Sequence, residues 1–248
     1  MNIDPRLSVI SDRLSGIGRI LAVTGGKGGV GKSVTSSGLA LALSAAGRKV
    51  GLLDLDLSGP SQHVILGARG VFPEEERGIV PPEVAGIRFL SLVMFTGEQP
   101  SPLRGSDISN AIIELLAITQ WGKLDVLIVD MPPGLSDAAL DVLRLMRRAE
   151  SVLVTVPSKV AFATVEKTIR MFQELHAGMI GVLENMRMPS SALFVERECA
   201  RLKVPFLGAV PFDERLEAAI GAPAELNKTD YVRSLAAIAS REGLPGWG

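Results

Sequence analysis

The sequence holds very few residues that could ligate a metal cluster or form a disulfide. Among 248 residues there is one cysteine, Cys199, and there are two histidines, His63 and His176. A single cysteine excludes an internal disulfide framework, and it also excludes a cysteine-rich metal site built by one chain. The chain by itself therefore offers few ligands for a soft metal.

Aromatic residues, excess charge and long apolar runs are also scarce. Aromatic residues make up 4%, and 26 Lys and Arg oppose 27 Asp and Glu, for a net charge of −1. This balance argues against nucleic acid as a partner. The apolar runs are of strand length, and Met1–Arg19 lacks the basic flank and apolar stretch of a signal peptide. We therefore expect a cytoplasmic protein that does not bind membranes.

Strand-like and helix-like patterns alternate along the chain, which predicts a parallel sheet covered on both faces. The predicted strands are 20–23, 50–53, 87–92, 126–129, 152–156, 179–183 and 206–210. The predicted helices are 32–46, 108–118, 137–147, 160–175, 192–202 and 231–240. We expect one α/β domain over residues 1–248, doubly wound and mainly parallel, with an N-terminal segment at 1–18 and a C-terminal helix and tail at 229–248.

A glycine-rich loop follows the first predicted strand and opens a helix. It fits the pattern G-x-x-x-x-G-K-[ST] in the strand–loop–helix context that this pattern requires. Backbone N–H groups in such a loop surround phosphate oxygens, the lysine reaches the β and γ phosphates, and the serine hydroxyl binds Mg²⁺. The predicted ATP contacts in this region are Gly26, Lys27, Gly28, Gly29, Val30, Gly31, Lys32, Ser33 and Val34, with Ser33 also a Mg²⁺ ligand.

The extra lysine at Lys27 makes the loop GKGGVGKS, which resembles the signature-lysine P-loop ATPases: Mrp, MinD, ParA and the nitrogenase iron protein. The resemblance implies Mg²⁺-dependent ATP hydrolysis, with ATP or ADP bound, in an ATP-dependent homodimer. It also implies that Lys27 reaches the partner subunit's nucleotide and that Lys27 and Lys32 are catalytic. Val34 departs from the family, which often has threonine there.

Three acidic residues follow two predicted strands. Asp54 and Asp56 lie in a string that resembles the L-D-A-D-x-x-G-P-S string of Mrp proteins. The resemblance assigns Asp56 to orienting the attacking water and Asp54 to the Mg²⁺ shell, whereas turn capping is the structural alternative. Asp130 ends the strand 126–129 and is the Walker B candidate for Mg²⁺. Gly134, in the Pro-Pro-Gly turn that follows, is predicted to sense the γ phosphate.

Further strings resemble Mrp proteins in particular. They are P-L-R-G at 102–105 and W-G-K-L-D at 121–125. The resemblance also carries ATP-binding positions to Asn185, Pro211 and Asp213. Ordinary strand-end turns are the alternative reading of these three residues.

The largest departure follows Asn185, where typical Mrp proteins carry the C-x-x-C that binds an iron–sulfur cluster between two subunits. This chain has no cysteine there, so we expect no intrinsic iron–sulfur cluster. The resemblance is then closest to the Mrp-type HypB branch, which implies nickel delivery for [NiFe]-hydrogenase maturation with the nickel chaperone HypA. An iron–sulfur carrier or scaffold ATPase of the Mrp type and a MinD/ParA-like positioning ATPase are the alternatives.

One string points elsewhere. Residues 227–230 spell N-K-T-D, the guanine signature of GTPases, but no predicted strand precedes them. Thr229 or Asp230 suits the N-cap of the final helix instead, so adenine remains the expected base.

Overall fold

A computed structural model describes residues 4–57, 59–96 and 105–241 of the chain. The strands are β1 Ile17–Gly25, β2 Val50–Asp54, β3 Glu74–Glu75, β4 Ile79–Val80, β5 Glu83–Val84, β6 Ile87–Ser91, β7 Leu124–Asp130, β8 Ala149–Thr155, β9 Gly178–Arg187 and β10 Phe206–Pro211. The helices are α1 Arg6–Ser15, α2 Lys32–Ala45, α3 Gln62–Ile65, α4 Val93–Thr96, α5 Ser106–Ile118, α6 Asp137–Leu145, α7 Lys159–Glu174, α8 Phe194–Leu202, α9 Leu216–Ala219, α10 Pro223–Leu226 and α11 Asp230–Ala239. Parts of the predicted N-terminal segment (1–3), of the P-L-R-G string (102–104) and of the C-terminal tail (242–248) lie outside the described residues.

Eight strands form one sheet in the order β10-β9-β8-β1-β7-β2-β6-β5. All neighbours pair in parallel except β5, which pairs antiparallel with β6 at the edge. Every residue of β2 is buried, as expected for a strand covered on both faces. The predicted fold class, a doubly wound and mainly parallel α/β sheet, is confirmed.

Helices cover the sheet in two groups, since α2 packs with α11 while α5 packs with both α1 and α6. Helices α2 and α11 approach closely at Gly38 of α2, because a Cβ there would lie 2.6 Å from Leu235 Cδ1. A second apolar cluster lies between α7, α8 and β9 and includes Phe162, Val182 and Cys199. None of the helices in the described ranges is both long and apolar enough to cross a membrane.

The final helix begins where the sequence predicts it. Thr229 is the N-cap of α11, and its Oγ1 accepts a hydrogen bond from the Val232 N–H at 3.2 Å. The N-K-T-D string therefore lies at a helix start, with the short helix α10 before it rather than a strand. This agrees with the prediction that Thr229 or Asp230 caps the final helix.

The sheet brings the predicted acidic residues to one edge. In the parallel register, Asp130 of β7 lies opposite Val23 of β1 on one side and opposite Asp54 of β2 on the other. The glycine-rich loop leaves β1 at the same edge. Ligands of open α/β sheets bind at this carboxyl edge, near the point where the strand order reverses.

Candidate nucleotide and magnesium site

The loop between β1 and α2 has the backbone that the phosphate-binding pattern requires. Gly29 and Gly31 have φ values of 79° and 83°, and Gly31 is the N-cap of α2. A Cβ on Gly31 would lie 2.1 Å from Asn185 Nδ2, and a Cβ on Gly26 would lie 2.8 Å from Val165 N. Both the turn and the close approach of neighbouring elements therefore require glycine in this loop. The N–H groups that begin α2 remain available to an anion.

Lys32 is the first residue of α2 and lies in an acidic environment. Its Nζ is 2.6 Å from Asp130 Oδ1 and 3.6 Å from Asp56 Oδ2, and its side chain is 10% exposed. Burial strengthens these attractions, because little water screens them. Ser33 and Val34 follow in the first turn of α2 and are half-buried.

Asp54 and Asp130 end neighbouring strands and are almost wholly buried. Burial, together with the negative charge of Asp130, raises the pKa of Asp54 to about 7. The Asp54 carboxylate accepts hydrogen bonds from the Asp56 N–H and from Ser91 Oγ, both at 3.1 Å. Excess buried carboxylate charge beside a single ammonium suits a hard divalent cation such as Mg²⁺.

The carboxylates do not form a complete cation cage. Within the described ranges, no group of three or more His, Cys, Asp or Glu residues is arranged to hold a metal ion. Mg²⁺ normally keeps several waters and shares its shell with substrate phosphates, so it takes only one or two carboxylates from a protein.

Sequence reasoning missed the polar side chains that hold Asp130. Ser36 Oγ donates to Asp130 Oδ1 at 3.2 Å, and Gln62 Nε2 donates to Asp130 Oδ2 at 2.8 Å. Ser36 could have been found, because it is four residues after Lys32 and therefore on the same face of α2. Gln62 carries no such signal, since it lies in the short helix α3 beyond a turn.

Two predicted residues lie on the rim of the site. Gly134 has a φ of 67°, and a Cβ there would lie 3.9 Å from the Gly26 oxygen. The loop after β7 therefore lies beside the start of the phosphate loop. Lys27 is exposed on that loop.

Asn185 contacts the phosphate loop, and Tyr231 contacts the first turns of α2, which follow that loop. Asn185 Nδ2 donates to the Val30 oxygen at 2.9 Å, and its Oδ1 accepts from the Met186 N–H at 2.9 Å. The Tyr231 hydroxyl lies 2.9 Å from Thr35 Oγ1 in a fully buried pair, and burial raises the pKa of Tyr231. Ends of β9 and α11 thus fix the loop, while the adenine contact of Asn185 stays a prediction.

Pro211 belongs to β10, and Asp213 lies in the connection between β10 and α11. Pro211 ends β10, and the Asp213 side chain is 6% exposed. The Asp213 carboxylate accepts hydrogen bonds from the backbone N–H groups of Arg215 at 3.0 Å and Tyr231 at 3.3 Å. These contacts fix the connection to α11, and the adenine contacts of Pro211 and Asp213 stay predictions.

Cys199, the only cysteine in the sequence, is buried in an apolar environment. Its side chain is 1% exposed inside the second apolar cluster. Burial, with the nearby charge of Glu184, raises the pKa of the Cys199 thiol to about 12. A covered, neutral thiol is a poor ligand, because metals bind the thiolate.

A phosphate loop that leads from a strand of a parallel sheet into a helix is the hallmark of P-loop ATPases, and this protein belongs to that class. Within this class, the chain belongs to the ParA-type family described as NUBPL iron-transfer P-loop NTPases, whose model matches residues 16–240. The resemblance to Mrp and MinD ATPases is thereby confirmed.

Individual relatives agree with this family. The chain is 37% identical over 248 residues to an iron–sulfur cluster carrier protein of Deinococcus radiodurans, covering 94% of this chain and 71% of the relative. It is 41% identical over 177 residues to the Pseudomonas fragi protein of the same name, covering 70% of this chain but only 62% of that relative. A nucleotide-binding protein from Archaeoglobus fulgidus, solved in complex with ADP, superposes with a TM-score of 0.77 at 29% identity, covering 90% of this chain and 93% of that one.

The prediction of nickel delivery for hydrogenase maturation is wrong. The relatives are named iron–sulfur cluster carrier proteins or chloroplast iron–sulfur assembly factors, and the family model describes iron transfer. The resemblance to HypB is unconfirmed, and nothing supports HypA as a partner. The prediction rested on the missing C-x-x-C, and a missing motif does not identify another metal.

Proposed function

We propose that this chain is a single-domain ATPase that dimerises around ATP and drives the transfer of iron–sulfur clusters held by other proteins. The observation that carries the proposal is the convergence of Lys32, Asp56 and Asp130 beside the phosphate loop. Phosphate oxygens bound there would compete with the carboxylates for the Lys32 ammonium. Nucleotide binding would therefore alter the contacts of both strand-end loops, as a switch requires.

The nucleotide site consists of the phosphate loop and three surrounding strand ends. Backbone N–H groups of the loop bind the phosphates, and Lys32 neutralises the β and γ phosphates. The Gly134 N–H would report on the γ phosphate, and its position beside the Gly26 oxygen supports this role. The residues assigned to ATP are Gly26, Lys27, Gly28, Gly29, Val30, Gly31, Lys32, Ser33, Val34, Gly134, Asn185, Pro211 and Asp213.

The oxygen-rich donor set beside Lys32 fits Mg²⁺. Ser33 and Asp130 would hold the ion, and Asp54 would support them from the neighbouring strand. Bound Mg²⁺ supplies positive charge that stabilises the charge developing on the phosphate oxygens. Mg²⁺ is a hard cation, and it prefers these carboxylate and hydroxyl oxygens to nitrogen or sulfur.

Hydrolysis also needs a positioned water and a charge from the second subunit. Asp56 is half-buried beside Lys32, where its carboxylate orients the attacking water. Lys27 is exposed at the rim. In the proposed dimer its side chain reaches the partner subunit's nucleotide. An ATP-bound homodimer is therefore the active form, and Lys27 stabilises its transition state.

The iron–sulfur cluster is the substrate of this switch, and its thiolate ligands come from another protein. A homodimer of this chain contains only two cysteines, both buried as Cys199. Two buried neutral thiols do not supply the four cysteine ligands that clusters normally take. The chain therefore acts on a cluster-bearing partner.

Anaerobic reconstitution of the purified chain with ferrous iron and sulfide tests this assignment. In buffer that is freed of transition metals and supplemented with Mg²⁺, we expect ATP hydrolysis. After reconstitution and desalting, we expect no visible cluster absorption and no bound iron. The Cys199→Ser variant should behave identically. If the reconstituted parent held stoichiometric iron and sulfide and the Cys199→Ser variant held none, the chain would carry the cluster itself. Absence of ATPase activity would overturn the proposed switch.

A further inference from the structure

Gln62 is a neutral side chain that is completely buried beside Asp130, with a relative exposure of 0%. Its Nε2 donates to Asp130 Oδ2 at 2.8 Å and to the Ser33 oxygen at 3.0 Å. Its Oε1 accepts a hydrogen bond from Ser37 Oγ. All functional atoms of the amide are therefore engaged.

The two acceptors determine the orientation of the Gln62 amide. A flipped amide would place Oε1 against the Asp130 carboxylate and the Ser33 carbonyl, which cannot donate. Ser37 is compatible with either orientation, because a hydroxyl can donate or accept. Both hydrogens of Nε2 are thus used, one on each of two groups that are assigned to the magnesium site.

Hydrogen bonds also fix the rotation of the Asp130 carboxylate. Lys32 and Ser36 engage Oδ1, while Gln62 engages Oδ2. Lys32 would exchange Asp130 for phosphate on nucleotide binding, so Ser36 and Gln62 are the contacts that keep the carboxylate oriented. Of these two, only Gln62 also contacts the backbone of Ser33.

We propose that Gln62 is a positioning residue of the ATPase site, one that holds Asp130 and the Ser33 backbone in the arrangement that binds Mg²⁺. The inference rests on the proposed assignment of Asp130 and Ser33 to Mg²⁺. A neutral double donor suits this role, because it orients the carboxylate without neutralising it. A glutamate would lack donors when ionised, and a lysine would compete with the cation.

Gln62 also connects this site to the loop of Asp56. It is the first residue of α3, directly after the turn that follows Asp56, and Ser61 is the helix N-cap. A displacement of that loop would move the amide against Asp130. Gln62 therefore couples the water-positioning loop to the metal-binding strand end.

The test is Gln62→Met, which keeps the length of the side chain and removes both donors. Binding of a fluorescent ADP analogue is measured at increasing Mg²⁺, and separately with Mg²⁺ chelated. We expect the Mg²⁺ midpoint to rise about tenfold or more, as for other groups that orient metal ligands. The chelated affinity should change by less than about threefold, because the loop backbone binds the phosphates.

Two further variants separate the possible outcomes. Gln173→Met alters an exposed glutamine of α7 and should leave the Mg²⁺ midpoint unchanged. Asp130→Asn should raise it. An unchanged midpoint in Asp130→Asn would reject the proposed metal site, whereas a shift in Asp130→Asn but none in Gln62→Met would reject only the role of Gln62.

A purely structural role for Gln62 predicts equal losses of ADP affinity with and without Mg²⁺, and that result would also overturn the inference. Should Gln62→Met fail to fold, Ser37→Ala removes the contact to Oε1 and keeps both donors in place. Its Mg²⁺ midpoint should rise by about twofold to fivefold, a smaller effect of the same kind. An unchanged midpoint in a folded Ser37→Ala protein would then contradict the proposal.

Discussion

Lys32 is the residue on which the charge balance of the site depends. Its ammonium pairs with both Asp56 and Asp130, while Asp54 adds a third carboxylate nearby. Removal of the Lys32 charge would leave buried carboxylates without compensation, which costs several kcal/mol in typical cases. The same ammonium is the group that would neutralise incoming phosphates.

Lys32→Ala should therefore weaken ATP and ADP binding by about 100-fold or more, because a charge-assisted contact to phosphate is lost and repulsion remains. Isothermal calorimetry measures the effect. Lys167→Ala, at an exposed position of α7, is the matched control and should bind like the parent. A Lys32→Ala affinity within threefold of the parent would contradict the assignment.

Asp56→Asn separates chemistry from binding. The amide has nearly the same shape but no negative charge, so ATP affinity should be kept while turnover falls by about 100-fold or more. Steady-state phosphate release reports turnover, with the exposed Asp12→Asn variant of α1 as control. Unchanged turnover would remove Asp56 from the role of orienting water.

Residues with a motif could be predicted from the sequence, and supporting residues could not. The phosphate loop and Asp130 were found because each pattern sits at the end of an apolar strand, which places it at one sheet edge. Gln62 belongs to no motif, and its role depends on a turn that folds α3 back over α2. Only the three-dimensional structure shows that contact.

At the scale of elements, the packing of α11 on α2 stabilises the phosphate loop. Gly38 of α2 faces Leu235 and Tyr231 of α11, and the Tyr231 hydroxyl reaches Thr35. The helix that supports phosphate binding is thus held by the C-terminal part of the described chain. Contacts of this kind connect fold stability to nucleotide affinity.

Gly38→Ala should destabilise the protein by about 1–3 kcal/mol, because the new Cβ would overlap Leu235 Cδ1. In an exposed helix the same change stabilises by about 1 kcal/mol. The sign of the change in the free energy of unfolding therefore tests the packing of α2 against α11. Urea unfolding followed by circular dichroism measures it. Gly38→Ala combined with Leu235→Ala should cost less than the sum of the two single changes, and strict additivity would contradict the contact.

The sequence patterns predicted the central strands better than their ends or the small elements. Strand β1 begins at Ile17, three residues before the predicted start. The prediction missed these residues because Gly18 and Arg19 interrupt the apolar pattern. Arg19 is accommodated by an ion pair with Glu150 at 2.6 Å. Helix α1 lies within the predicted N-terminal segment, and the two-residue strands β3, β4 and β5 are too short to show a period.

At the scale of the whole molecule, the proposed dimerisation is the step that would turn ATP binding into a switch. The Lys27→Ala variant should bind ATP like the parent as a monomer but lose ATP-dependent dimerisation or its stimulated hydrolysis, because the charge in trans is missing. Light scattering coupled to gel filtration, with and without ATP, measures the first effect. A variant that dimerises and hydrolyses ATP normally would show that Lys27 is a solvated loop residue.

The single cysteine also bears on how the whole molecule would handle a cluster. The one buried thiol supports the proposal that a partner holds the cluster, but it does not determine which metal the ATPase serves. The family supports iron–sulfur clusters as the proposed substrate. Together, the buried thiol and the family support the proposed ATPase whose cluster is bound by a partner.

The rate of cluster transfer between two other proteins tests this account most directly. A cluster-loaded scaffold protein is mixed anaerobically with apo-ferredoxin, and ferredoxin absorption is followed with the chain and ATP, with the chain and ADP, and with Lys32→Ala and ATP. The account predicts faster transfer only with the parent chain and ATP. Equal rates in all three mixtures, from a chain that hydrolyses ATP, would contradict it.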